Sequence, residues 1–264
     1  MAPTELLKKY AELHVSSLKE IKKFTCMFIE EDSGYKIIGT GVFIKFNDSH
    51  YILTAAHVLD EFARLKIPVD DGDYLLIPGG VSYTNNFFDK RAKDKVDIGF
   101  LKLDQESISD IEKNYDFLDQ SQIELNHNYA QLPLYTYFGF PTTLSKYSKT
   151  RNNFHVIPFF HTTIPASMNI YDQLSRNPSQ NIITSYNRKR AYNFKNKNLS
   201  NGPDLHGLSG CGLWYNDPMD LLQGICKPRL TAILTDWPVK NRNVVIGTNI
   251  DIIINSITTV SNRS

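Results

Sequence analysis

Leu205-His206-Gly207-Leu208-Ser209-Gly210-Cys211-Gly212 is the stretch around which the rest of the chain reads most simply. Gly207 lies two places before the serine, Gly210 directly after it, and Gly212 two places beyond that. The apolar run Leu213-Trp214-Tyr215 follows. Glycine accepts backbone angles and close approaches that other residues resist. A serine on such a turn can stand exposed with backbone N–H groups converging beside it. Acyl transfer needs that pairing of a nucleophile with donors for the developing oxyanion. Serine among glycines also occurs in plain tight turns, so this stretch alone leaves both readings open.

Two upstream segments narrow the choice. Gly39-Thr40-Gly41-Val42-Phe43-Ile44 is followed by Tyr51-Ile52-Leu53-Thr54-Ala55-Ala56-His57-Val58. Val96-Asp97-Ile98-Gly99-Phe100-Leu101 lies between these and Ser209. The chain order is therefore His, Asp, Ser, the order of the chymotrypsin triad. With these motifs the sequence resembles the trypsin-like (chymotrypsin-fold) serine peptidases, of the bacterial, intracellular-looking kind. TAAHV matches the family's histidine motif closely, DIGFLKL its Asp-Ile-Ala-x-Leu segment, and GLSGCG its Gly-Asp-Ser-Gly-Gly motif less closely. The resemblance runs from about Gly39 to Ile257.

The resemblance implies an all-β fold of two six-stranded antiparallel β-barrels with the site in the cleft between them. It implies a serine endopeptidase in which Ser209 attacks the scissile carbonyl, His57 moves the proton, and Asp97 holds the imidazole. The N–H groups of Gly207 and Ser209 then form the oxyanion hole. Counting back from Ser209, the base of the primary pocket falls on Pro203 and Asp204, with Thr235, Asp236 and Trp237 near its mouth. An inward Asp204 favours a basic side chain before the scissile bond; an outward one is an ordinary turn residue after Asn201-Gly202-Pro203. Digestive relatives are activated when a new amino terminus pairs with an Asp before the serine. Leu208 stands there, so that switch has no carboxylate to act on. No metal or cofactor is implied. The partners implied are a protein or peptide substrate and a regulatory protein.

Composition agrees with a globular chain. Its 264 residues suit one domain or two small ones sharing an interface. A formal net charge of +1 points to neither nucleic acid nor membrane. No basic start leads into an apolar run, and no segment approaches the roughly 18 apolar residues of a membrane span. Cys26, Cys211 and Cys226 are an odd and small set for a secreted disulfide scaffold. A cytoplasmic protein is expected.

The expected organisation is an N-terminal helical segment (1–23), a first barrel (24–103), a linker (104–128), a second barrel (129–248) and a C-terminal helix with tail (249–264). Leu6, Leu7, Tyr10, Leu13, Leu18 and Ile21 recur at a helical period over 4–22. Strands are expected over Phe24–Phe28, Tyr35–Phe46, Tyr51–Thr54, Arg64–Val69, Asp73–Pro78 and Val96–Leu103, with Glu30–Gly34 and Asn47–Ser49 as turns and a polar loop over Ser82–Lys95. Asp104 is positioned to cap a helix reaching Leu118. Later strands are expected over Leu132–Phe140, Phe154–Phe160, Asn181–Tyr186, Leu221–Cys226, Leu230–Leu234 and Val244–Gly247. Pro165–Gln180 reads as irregular, and the basic, aromatic-laced run Asn187–Lys197 as a solvated loop rather than a phosphate-contacting one. Asn249 is expected to cap a last helix whose apolar face is Ile250, Ile253, Ile254 and Ile257.

Other chemistries fit less well. An α/β-hydrolase elbow is Gly-x-Ser-x-Gly with its acid and histidine downstream. Here Cys211 takes the final glycine position, and His206 is the last histidine. A cysteine hydrolase using Cys211 places the nucleophile off the family position. Asp204 and His206 lack a nameable third metal ligand. The alternative of another class is a catalytically silent protease-fold module that binds a partner protein.

Overall fold

Asn47 and Asp48 both adopt positive φ (46° and 58°) and reverse the chain between paired Phe46 and Ser49. Two-residue turns of that kind match the natural twist of antiparallel strands. The computed structural model describes residues 15–31, 34–60, 62–69, 74–84, 94–127, 133–148, 153–193, 198–217, 219–220 and 223–261. The expected helical residues 4–14, the turn residues 32 and 33, and most of the loop before Asp94 lie outside the described residues.

The structure is mostly β. The first sheet holds seven strands: β1 (Thr25–Glu31), β2 (Tyr35–Phe46), β3 (Ser49–Ala55), β4 (Leu65–Val69), β5 (Tyr74–Leu76), β6 (Gly80–Thr84) and β7 (Ile98–Leu103). Their spatial order is β5-β4-β1-β2-β3-β7-β6. The second sheet holds six: β8 (Leu134–Gly139), β11 (Phe159–Thr163), β12 (Asn181–Ser185), β15 (Gly212–Asn216), β16 (Arg229–Asp236) and β17 (Val244–Asn249), in the order β11-β8-β15-β16-β17-β12. β9 (Ser145–Ser148) pairs with β10 (Asn153–Val156), and β13 (Ala191–Asn193) with β14 (Asn198–Ser200), as two small ribbons. All of these pairs are antiparallel. The residues after β11 reach β12 through a bridge between Pro165 and Thr184 and a hydrogen bond from Ser185 N to Ile164 O (3.0 Å). The helices are α1 (residues 15–23), α2 (Ala56–Leu59), α3 (Gln105–Ile111), α4 (Asn169–Gln173) and α5 (Ile250–Ser261).

Several expected elements differ. The first sheet has seven strands where six were expected, because Gly80–Thr84 pairs with β7; Ser82–Thr84 are therefore strand, not loop. α3 stops at Ile111 rather than Leu118. Its cap is as expected, with Asp104 Oδ1 accepting from Ser107 N at 2.8 Å. Beyond it, Leu118 joins β2 through Lys45 N to Leu118 O (2.8 Å), and sheet pairing displaces helix there. Ile157-Pro158 splits the expected Phe154–Phe160 strand in two, since proline offers no N–H to a ladder. α4 lies within the stretch expected to be irregular. Residues 223–226 form a turn and coil, not a strand. Asn249 ends β17, and its Oδ1 is buried without a hydrogen-bond donor among the described residues, so it does not cap α5.

Strand alternation explains the packing. On β2, Val42, Ile44 and Phe46 face one way and Phe43 the other, as a period of two requires. Phe43 joins Cys26, Phe28, Ile52 and Leu101 in the core of the first sheet. Val42, Ile44 and Leu53 meet Phe138, Trp214 and Ile233 of the second sheet in a shared cluster. α5 closes that cluster with Ile250, Ile253, Ile254 and Ile257, all at most 5% exposed, the face expected from their spacing. The two sheets therefore share a core, and side chains between them are held from both sides.

His127 lies in the second half of this core, with its side chain 2% exposed. Its Nε2 and the Tyr135 hydroxyl are 2.7 Å apart, and Glu124 lies 4.0 Å from Nδ1. Burial lowers the imidazole pKa from 6.5 to about 4, and the Arg229 charge adds to this. The folded state thus resists a proton that the unfolded chain accepts. The stability this histidine contributes is present above pH 6.5 and is lost as pH falls towards about 4. Full use of the shift corresponds to at most roughly 3 kcal/mol at about 1.4 kcal/mol per unit. His127→Gln is expected to flatten the fall in urea-denaturation free energy between pH 7 and pH 4.5, and a variant with an unchanged slope would exclude this histidine as the source.

Candidate functional site

The β3–β7 ladder sets the site. Ala55 pairs with Ile98, and the next step of the ladder is Ala56 N donating to Asp97 O at 2.9 Å. β3 then turns into α2, whose second residue is His57. That register puts Asp97 beside His57. Both carboxylate oxygens of Asp97 accept from it: Oδ1 from the His57 backbone N–H at 3.0 Å, and Oδ2 lies 2.6 Å from Nδ1. A carboxylate only accepts, so in the neutral form of the ring the Nδ1 proton sits in this contact and Nε2 carries the lone pair. The His57 side chain is 39% exposed and that of Asp97 12%. Asp97 has φ of 46°, a left-handed conformation that few residues other than glycine adopt.

Ser209 approaches from the second sheet. Its carbonyl accepts from Thr40 N at 2.8 Å. A methyl group at Gly39 would meet Ser209 O at 3.1 Å and Val58 Cγ2, one residue after His57, at 2.6 Å. Gly39 is thus the point where the serine turn and α2 converge, and only a residue without a side chain fits there. Thr40 clamps the turn a second time, its Oγ1 donating to Gly207 O at 2.9 Å. Thr142 N holds His206 O at 2.8 Å. Leu208, Gly210 and Cys211 all spend their N–H groups on carbonyls: Leu205 O, Leu234 O and Leu208 O. No acceptor among the described residues takes the N–H of Gly207 or Ser209. Gly207 sits at φ of +95°, and a methyl group there would lie 2.6 Å from Phe140 O. Ser209 is half-buried, and its Oγ makes no hydrogen bond among the described residues, to His57 or otherwise.

The neighbours of the serine are apolar. Leu208 is 2% exposed and packs with Leu205, Tyr137 and Cys211. Cys211 is fully buried, and burial pushes its thiol pKa well up, so it is a core residue rather than a reactive thiol. None of the three cysteines forms a disulfide among the described residues.

The residues expected around a substrate pocket divide into two groups. Pro203 O accepts from Tyr186 OH at 2.7 Å, and Tyr186 meets Trp237 edge-on at 6.3 Å between ring centroids. His206 also abuts Trp237, at 5.8 Å. The Arg242 guanidinium lies 3.9 Å from the Trp237 centroid. Asp204 turns back on its own loop, Oδ1 accepting from His206 N at 3.2 Å with His206 Nε2 at 3.5 Å. Asp236 faces away to Arg176, 2.7 Å from Nη2. Thr235 is buried, 3.5 Å from Thr248 Oγ1. Asp236 is thus paired with Arg176, and Asp204 is held within its own loop. Clefts of about 250 Å³ at Arg176 and Asp236 and about 670 Å³ at Glu20 and His50 include neither His57 nor Ser209.

Thr40, Thr142 and Arg176 were not singled out from the sequence as site residues. A buried threonine between Gly39 and Gly41 was the one visible signal, since small neighbours leave its hydroxyl free to reach a backbone. No model of a known protein family matches the chain, and no curated protein matches it. Among the described residues no group of three or more His, Cys, Asp or Glu side chains is gathered as a metal would require, and no helix is long and apolar enough to cross a membrane. What the arrangement offers chemically is an oriented imidazole with a free Nε2, a serine on a clamped turn, and two uncommitted N–H groups beside it.

Proposed function

We propose that the chain is a serine endopeptidase of the trypsin-like type, with its two sheets forming the two barrels of that fold. The observation that carries this reading is the double contact between Asp97 and His57, which orients the ring and leaves Nε2 basic. In this mechanism Nε2 takes the proton as Ser209 Oγ attacks a peptide carbonyl, and returns it to the leaving amine. The N–H groups of Gly207 and Ser209 stabilise the oxyanion, and their lack of acceptors among the described residues supports that role. The substrate is a protein or peptide, and a cytoplasmic location suits cysteines that form no disulfide among the described residues. Activity does not depend on an amino-terminal ion pair, because Leu208 offers no carboxylate. Control by a regulatory protein partner is the corresponding expectation.

One observation favours the second reading, a silent module that binds a partner protein: Ser209 Oγ makes no hydrogen bond to His57. Such contacts are often loose without substrate and tighten on binding. Labelling with a fluorophosphonate separates the two. The wild-type chain is expected to be labelled at Ser209 and to cleave casein, and Ser209→Ala to lose both. A well-folded wild type that resists the reagent at millimolar concentration would leave the binding module as the better account.

A further inference from the structure

The strained conformation of Asp97 is held from the opposite sheet. Left-handed backbone at a non-glycine residue persists only where its surroundings fix it. After Asp97 the β7 ladder does so. Before Asp97, the two preceding carbonyls are held by the second sheet and the segment following α4. Val96 O accepts from Thr248 Oγ1 at 2.5 Å, on β17. Lys95 O accepts from Arg176 Nη1 at 2.6 Å and from Asn181 Nδ2 at 3.3 Å. Lys95 Nζ in turn donates to Ser175 O at 2.7 Å. The other arm of Arg176 engages Asp236 on β16. Its side chain is only 11% exposed.

We infer that Arg176 is a positioning residue for the His57–Asp97 pair: its guanidinium bridges Lys95 O and Asp236 and thereby sets where Asp97 stands against His57. A planar guanidinium reaches two acceptors at fixed angles, whereas an ammonium is a point donor. The Lys95 carbonyl lies two residues before the strained aspartate, so slack there passes directly to the carboxylate. Arg176 touches neither His57 nor Ser209 in the described contacts and acts only through this segment. The inference deepens the endopeptidase reading and rests on it for its kinetic consequence, although the positional claim is measurable without activity.

The test uses the full chain and two readouts. The first is the downfield imidazole proton of His57 Nδ1 in one-dimensional NMR, which reports the contact with Asp97 directly. The second is the second-order rate of fluorophosphonate labelling. Arg176→Ala is expected to move or broaden the proton resonance and to slow labelling about 10- to 100-fold, the scale of a catalytic group displaced by about 1 Å. Arg176→Lys and Arg176→Gln, each keeping a single donor nitrogen, are expected to fall between the wild type and the alanine variant, and they decide the matter if Arg176→Ala does not fold. Arg229→Gln, which removes a different partly buried arginine paired with Glu124, is expected to leave both readouts at wild-type values. Folded Arg176 variants with an unmoved resonance overturn the inference, whatever their labelling rate. A wild type that shows the resonance but no labelling defeats the endopeptidase reading instead, and a resonance that still responds to Arg176 upholds the positional claim.

Discussion

Asp97→Asn is expected to lower fluorophosphonate labelling and peptide hydrolysis about 10⁴-fold while leaving the fold in place, the scale that loss of the correct histidine tautomer produces in such triads. The structure explains why this substitution is informative. Asparagine has the size of aspartate and tolerates the same left-handed backbone, so φ of 46° is no obstacle. The carboxamide can still accept from the His57 backbone N–H, now 3.0 Å from Oδ1. Its NH₂ group then faces Nδ1 and pushes the ring proton to Nε2. In the proposed mechanism Ser209 then loses its base although nothing else has moved. A chain that keeps its melting temperature and its activity within tenfold of wild type would falsify the proposed role of Asp97.

Gly210→Ala is expected to destabilise the chain by about 2–5 kcal/mol, combining overpacking of roughly 1–3 kcal/mol with a left-handed backbone penalty of about 1–2 kcal/mol. Gly210 has φ of +91°, and a methyl group there would lie 2.0 Å from both Thr40 O and Thr54 Oγ1. Thr40 O is backbone of β2 and already accepts from Thr54 Oγ1 at 2.8 Å, so neither obstacle can swing aside. The Gly210 N–H also holds Leu234 O at 2.7 Å, which ties the serine turn to β16 while its Cα presses on the first sheet. At about 2–4 °C per kcal/mol for a chain of this size, the melting temperature should fall by roughly 10 °C. Gly39→Ala, whose new methyl would first meet the Val58 side chain, should fall by less. Equal melting temperatures for Gly210→Ala and wild type would show that the two sheets are not locked together at this glycine.

The strand content, the shared apolar faces and the location of the three chemical motifs were legible in the linear sequence. Tyr35–Phe46 and the face Ile250, Ile253, Ile254 and Ile257 follow from periodicity alone, because a strand or helix with one buried side repeats its apolar residues at the period of its own geometry. The local cap at Asp104 is legible for the same reason: donor and acceptor lie three residues apart. Elements whose form depends on a distant partner were not. Gly80–Thr84 is a strand because β7 is beside it, and Leu118 is extended because β2 captures its carbonyl.

The site divides along the same line. The sequence by itself determined which residue types are present and in what order: a histidine after a strand, an aspartate at the start of another, a serine between glycines, and a leucine directly before that serine. Only the tertiary structure decided that both oxygens of Asp97 meet His57, that the Gly207 and Ser209 N–H groups are left without acceptors among the described residues, that Asp204 and Asp236 are turned to His206 and Arg176, and that Lys95 and Val96 are held by the second sheet. Apart from the two-residue contact of Asp204 with His206, these are contacts between residues tens to more than a hundred positions apart. Their hydrogen bonds depend on ångström-scale placement by ladder register and by the core the two sheets share, and no local pattern of residues encodes that placement.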